Sequence, residues 1–164
     1  MNTLIAVRPF TVPTYSDKCH RGALVTLVER KSLYTVIRAV LNKTAEAVRN
    51  AVVDGLTPHI DWVHTITYDN GREFADHEGM AADLETQIYF AHPYASWERG
   101  LNENTNGLIR QYFPKDRDLT TVTKYEIEQA MDKLNHRPRK SLGYRTPYEV
   151  FFNTRTSLTV ALQS

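Results

Sequence analysis

Hydrophobic and polar positions along the chain switch between two periods, and the switches outline strands and helices. Gly22 to Glu29 is a nearly continuous apolar, β-branched run of the kind a buried strand carries. The polar trio Arg30-Lys31-Ser32 separates it from a second such run, Leu33 to Val40, and so short a connection predicts an antiparallel hairpin. From Ala45 to Leu56 the small and apolar residues Ala47, Val48, Ala51, Val52 and Gly55 recur at helical spacing. Thr44 is placed to cap that helix, and Thr57-Pro58 to end it. Alternation returns from Asp61 to Asp69 as a third strand, which sets Asp69 at its C-terminal tip with Asn70-Gly71 as the turn behind it. Phe74 to Glu85 reads as a helix and Gln87 to Ala91 as a fourth strand stopped by His92-Pro93. A loop, 94–100, leads into a helix from Leu101, and a further amphipathic helix runs from Lys124 to Asn135. The segment from His136 to Pro147 is basic and proline-rich, and Tyr148 to Phe152 is expected to pack back on the core. Residues 1–20 show no clear period. The two prolines within Val7 to Pro13 argue against a central strand there and predict an extended or irregular stretch. The order strand–strand–helix–strand–helix–strand–helix–helix predicts an α/β domain with mixed strand directions.

At 164 residues the chain is one domain long enough to bury a core. Cys19 is the single cysteine, so no internal disulfide forms and a reducing, cytoplasmic setting is expected. No apolar run approaches the roughly 20 residues that span a bilayer, and no signal peptide is visible, so no membrane partner is expected. The net charge of +1 hides a pattern along the chain. Residues 1–53 carry eight Lys/Arg against three acids, 54–98 one against nine, and 99–145 ten against six. A basic–acidic–basic layout suits a metal-binding centre flanked by surfaces that meet a polyanion, although charge that merely fluctuates over a surface gives the same counts.

Two acids stand out within that layout. Asp69 ends a strand, Glu103 falls in the first turn of a helix, and 33 residues separate them. Carboxyl ends of strands are where open α/β sheets place their sites, and two such acids can share divalent ions for phosphodiester chemistry. At about 100° per residue, Glu103, Asn106, Gly107 and Arg110 share one helix face. Leu101, Thr105, Leu108 and Tyr112 fall opposite, with Ile109 beside them. An acid and an arginine on one face suit metal binding and phosphate contact, and Gly107 leaves room for a bulky polyanion. Plainer readings compete: Asp-Asn-Gly is a common turn in which the Asp side chain serves its own backbone, and the helix face is an ordinary solvated one. Glu73, Asp76 and Glu98 are rival acids without so specific a position. His64 reads as a packed strand histidine, while Tyr94 and Trp97 are either core anchors or stacking surfaces for unpaired bases.

Several ordered motifs carry a resemblance. They are the run 22–32, Asp69-Asn70-Gly71-Arg72-Glu73-Phe74, Phe90-Ala91-His92-Pro93-Tyr94 and Trp97-Glu98-Arg99-Gly100. Further along come the run from Asn102 to Lys115, the run from Leu134 to Lys140, and Thr146-Pro147. Together they closely resemble the catalytic domain of bacterial insertion-sequence transposases of the "thirty" family, over about Gly22 to Phe152. The resemblance implies a ribonuclease-H-like integrase catalytic core, a mixed five-stranded sheet flanked by helices, with the first strand lost or degraded. It divides the chain into a divergent segment 1–21, the core 22–152 and a tail 153–164. Asp69 is then the second acid of an Asp-Asp-Glu metal site and Glu103 the third. Arg110 takes the basic position seven residues later that contacts DNA, with Asn106, Arg99 and Lys115 as further DNA-contact candidates.

The resemblance fails at the first acid. The family carries a Trp-Glu-Gly-Asp-like strand roughly nine residues before the position of Gly22, where this chain has Phe10-Thr11-Val12-Pro13-Thr14-Tyr15 and no carboxylate. Asp17 falls in what should be the following turn and is a poor substitute. The DNA-recognition region is missing as well, so a truncated or frame-shifted copy is expected. In this family three carboxylates hold two metal ions that activate water or a DNA 3′-hydroxyl for in-line displacement. With two acids left, Mg²⁺ or Mn²⁺ should bind weakly and transposase activity should be severely impaired. The expected partners are DNA (transposon ends and target) and further copies of the chain or a full-length transposase. The alternative is a non-catalytic remnant that binds DNA or transposase.

Overall fold

The computed structural model describes residues 6–7, 10–11, 22–42, 44–63, 65–68, 77–90, 104–114 and 116–154. The hairpin forms as the two apolar runs require: β3 (Ala23–Val28) pairs antiparallel with β4 (Thr35–Val40), Ala23 opposite Val40 and Val28 opposite Thr35. Its turn is organised by Glu29, a buried carboxylate that accepts hydrogen bonds from the Lys31 and Ser32 amides and the Ser32 hydroxyl. All six residues of β3 are buried, which puts cover on both faces of the strand. On one face Ala23, Val25 and Leu27 meet α1 (Ala45–Leu56) through Val48, Val52 and Leu56. Gly55 lets that helix come close, since a Cβ there would lie 2.9 Å from Leu27 Cδ1. On the other face Leu24 and Ile37 meet α4 (Lys124–Asn135) through Ile127, Ala130 and Leu134. Both helices have the predicted bounds, and Thr44 caps α1 by accepting from the Ala47 amide at 3.2 Å.

One expectation is corrected. The stretch 61–63 does not extend the third strand backwards: α1 passes directly into a 3₁₀ helix, Thr57–Trp62, and the described strand β5 is Thr65–Tyr68. Pro58 sits in the first turn of that 3₁₀ helix, where its missing N–H is not needed, so it redirects the helix rather than stopping it. The turn also carries His59 and Trp62 into an aromatic cluster with Tyr34 and Phe151. Tyr34 stacks on Phe151 at 4.4 Å, which is how α5 (Pro147–Phe151) packs back as predicted. The segment near the first proline is extended and not central, as expected, and pairs at sheet edges. β1 (Ala6–Val7) runs parallel to β5, and β2 (Phe10–Thr11) runs antiparallel to β3. The pairings flank Arg8-Pro9 in sequence, so both ladders form on residues that can donate an N–H. Among the described residues the pairings make two three-stranded sheets, β1-β5-β6 and β2-β3-β4, with segment 6–11 contributing to both. In the first, β6 (Gln87–Phe90) is parallel to β5. Within the predicted helix 74–85, the described residues form α2 (His77–Asp83), which ends in a turn at Leu84 and Glu85, two residues short of the expected bound.

The N-terminus of α4 carries a capping box the periodicity alone did not reveal. Thr123 accepts from the Glu126 amide, and the Glu126 carboxylate accepts from the Thr123 amide at 2.9 Å and from Arg117 Nη2 at 2.6 Å. The Thr123 backbone bond first, then the bond from Arg117, holds the Glu126 carboxyl down at about 2, from an ordinary 4.5. A carboxyl with a depressed folded-state pKa stabilises the fold above its unfolded value and loses that contribution as the pH falls. Acid titration of stability should therefore show a loss between about pH 4.5 and pH 2 that Glu126→Gln reduces. Identical acid profiles for the two proteins would contradict this.

Candidate active site

The two elements expected to deliver the acids are both present. β5 ends at Tyr68, one residue before Asp69, and residues 104–109 are helical, beginning one residue after Glu103. Asp69, Glu103, Arg99 and Lys115 themselves lie outside the described residues. Asn106 and Arg110 lie within them.

The helix 104–109, named α3 here, is seated by one stripe. Thr105, Ile109 and Phe113 recur every four residues and are all buried, Ile109 and Phe113 in the cluster that holds Leu24, Ile37 and Leu134. Leu108 and Tyr112 are half-buried on its flank. The expected wheel placed Ile109 beside a stripe through Leu108. The structure moves the centre to Ile109, because Phe113 extends the stripe past the helix end and pulls it round. The last turn tightens as it leaves the helix, with the amides of both Tyr112 and Phe113 donating to the Ile109 carbonyl at 3.0 and 2.9 Å. Opposite the stripe, Gly107 is exposed and a Cβ there would have nothing within 4 Å, so the space expected beside it is open. Asn106 and Arg110 are half-buried at its sides rather than fully solvated.

Asn106 has a further property. Its Oδ1 is buried and has no hydrogen-bond partner among the described residues. An orphaned amide oxygen costs stability unless something brings a donor or a cation to it. Three residues after Glu103 on a helix, it adds a hard oxygen of the type that Mg²⁺ and Mn²⁺ prefer. In chemical type alone, two carboxylates and an amide oxygen suit such an ion. Among the described residues no group of three His, Cys, Asp or Glu side chains is placed to hold a metal.

The basic segment meets the end of α3. Arg137 Nη1 donates to Gln111 Oε1 at 3.4 Å, and the Lys133 ammonium lies 6.0 Å from the Tyr112 ring centroid. Behind them Arg139 donates to the Leu134 carbonyl, and burial first, then the Arg137 charge, lowers its pKa. Sequence reasoning assigned no site role to these cations; their signal was the acid-free run from Lys133 to Tyr148. Among the described residues no helix is long and apolar enough to cross a membrane.

No family model matches the chain. It is 47% identical over 153 residues to the transposase for insertion sequence element IS4351 of Bacteroides fragilis, covering 93% of this chain and 47% of that protein. It is 41% identical over 128 residues to transposase InsI for insertion sequence element IS30C of Escherichia coli strain K12, covering 77% of this chain and 33% of that protein. The chain thus spans less than half the length of either relative. Among solved structures, the HTLV-2 integrase catalytic core domain in complex with magnesium matches with a TM-score of 0.68 at 17% identity. That match covers 92% of this chain and 99% of that one, and it concerns the fold alone. Over most of its own length, then, the chain is a homologue of IS30-family insertion-sequence transposases, built on the ribonuclease-H-like fold of integrase catalytic cores.

Proposed function

We propose that this chain is the catalytic-core part of a DNA transposase, with Asp69 and Glu103 as the surviving metal ligands. The observation that carries the reading is α3: a helix seated by Thr105, Ile109 and Phe113, its described part next to Glu103 in sequence, that opens to solvent at Gly107. A bound Mg²⁺ or Mn²⁺ would supply Lewis-acid activation of a water or 3′-hydroxyl at a phosphodiester. The chain's own part is to hold that cation with Asp69 and Glu103, and to receive DNA phosphates on Arg110, Arg99 and Lys115, with Asn106 as a polar contact. Residues 22–152 make up the core in this reading, 1–21 a divergent segment and 153–164 a tail. DNA ends, target DNA and further transposase copies are its partners.

The core is impaired in this reading. Two acids are one short of the Asp-Asp-Glu set. The four residues of segment 6–11 that pair into the sheets are Ala6, Val7, Phe10 and Thr11, none of them a carboxylate. That observation favours the second reading, a remnant that binds DNA or a transposase without catalysis. Incubating the purified chain with Mg²⁺ or Mn²⁺ and an element-end duplex separates the possibilities. Duplex binding without strand transfer is the expected result. Strand transfer at an ordinary transposase rate would overturn the impairment, and no binding to any DNA would overturn the transposase-core reading itself. If the chain acts as a remnant, co-expressing it with an intact transposase should change transposition frequency.

A further inference from the structure

The turn between α4 and α5 carries both charge and strain that the rest of the fold leaves without a use. From Lys133 to Tyr148 the sequence has five basic side chains and no acidic one. Two of the five work inside the fold. Arg139 donates to the Leu134 carbonyl at 3.2 Å, and Arg145 donates to the carbonyls of Glu149 and Thr154 at 2.9 and 3.2 Å. Between these two arginines the backbone closes on itself. The Arg139 amide donates to the Arg145 carbonyl at 3.0 Å and the Tyr144 amide to the Arg139 carbonyl at 2.9 Å. Closing so tightly puts two successive residues in the left-handed region, Gly143 at φ +63° and Tyr144 at φ +65°. Glycine adopts that conformation freely, whereas a bulky aromatic is strained by it. Burial of the ring does not offset the strain, because Tyr144 is 72% exposed. The neighbouring Arg137 and Lys140 are exposed too, and Arg137 ties the turn to Gln111 at the end of α3.

A hydrogen-bonded turn that holds an aromatic ring in water, with exposed cations at 137 and 140 near it in sequence, has the chemistry of a single-stranded nucleic-acid contact. The π-face stacks on any base, and the ammonium and guanidinium groups meet the flanking phosphates. Strain at a bulky exposed residue is the kind of outlier that functional sites retain. We propose that the turn 139–145 is a second DNA-contact element, in which Tyr144 stacks on an unpaired base while Arg137 and Lys140 bind the adjacent phosphates. The proposal rests on the DNA-binding reading above and adds a place and a ligand form to it, unpaired nucleotides beside the duplex held near α3.

Fluorescence anisotropy with the full chain, a labelled single strand and a blunt duplex of the same sequence tests this. Tyr144→Gly relieves the backbone and removes the ring, so melting temperature should hold or rise while single-strand affinity falls about five- to a hundredfold. Duplex affinity should change much less. Tyr144→Asn, which also tolerates positive φ, should behave the same way, and Tyr144→Phe should keep the wild-type affinity. The double variant Arg137→Gln, Lys140→Gln should weaken both probes and lower the salt slope by about two contacts. Lys124→Gln, at the far end of α4, should change neither. A folded Tyr144→Gly or Tyr144→Asn protein with wild-type single-strand affinity overturns the proposal and leaves the transposase reading standing. A wild-type chain that binds neither probe overturns both.

Discussion

Replacing Asn135 by leucine is expected to destabilise the protein by about 2–6 kcal/mol, at nearly constant side-chain volume. Asn135 is 5% exposed on the last turn of α4. Its Oδ1 accepts from the Thr35 amide and its Nδ2 donates to the Thr35 carbonyl, both at 2.8 Å. Thr35 belongs to β4, the edge of its sheet, where outward backbone groups have no neighbouring strand. The helix supplies partners instead. Met131 Sδ accepts from the Ile37 amide at 3.1 Å, so residues four apart on α4 serve residues two apart on β4. The spacings agree: four helical residues rise about 6 Å and two strand residues about 6.7 Å. Leucine would leave one buried N–H and one buried C=O without partners, at about 1–3 kcal/mol each. Denaturant unfolding should report the loss as a lower midpoint at unchanged slope. A change under about 0.5 kcal/mol would mean that Thr35 has found water, and the helix-for-strand substitution would be wrong.

The difference between what the sequence makes legible and what it hides follows the range of each interaction. Ala45–Leu56 and Lys124–Asn135 match their predicted bounds because a helical stripe and a threonine cap are local signals. The β3–β4 hairpin is legible for the same reason, since its turn lies between two apolar runs. Residues 57–62 were misread as a stop followed by a strand. Alternation around Trp62 imitates a strand, while the attraction of His59 and Trp62 to Tyr34 and Phe151 joins residues distant in sequence. Segment 6–11 was legible as extended and not central, and it pairs at sheet edges on either side of Pro9 because proline forbids a ladder only at its own position. At the site, the helix and its outward Gly107 were legible, while the centre of its buried stripe depended on Phe113, beyond the helix end. The Asn135–Thr35 bridge spans a hundred positions. The left-handed Tyr144 follows a glycine that would have absorbed the turn alone, so neither had a local signature.

Phe113→Ala should unseat α3, because its ring is the largest fully buried side chain at that helix's exit. Phe113 is 2% exposed and is the largest of the fully buried side chains, packed with Leu24, Ile37, Ile109, Leu119, Ile127, Ala130 and Leu134. Three elements therefore converge on it, β3, β4 and α4. Arg117 lies over the ring at 5.8 Å, covering it from the solvent side. Truncation to alanine removes the apolar contact and leaves a cavity that three rigid elements cannot easily collapse into, at a cost of about 3–5 kcal/mol. Phe113→Leu keeps much of the volume and should cost less, about 1–2 kcal/mol. Tyr125→Ala, 68% exposed on α4, should stay within about 0.5 kcal/mol. The functional consequence separates from the stability loss below the melting transition. If α3 is the platform that follows Glu103, amide exchange over 104–113 should accelerate in Phe113→Ala and DNA affinity should fall, while exchange in α1 stays near wild type. Uniform acceleration across α1 and α3 would instead show that the ring supports the whole domain and that α3 has no separate seat.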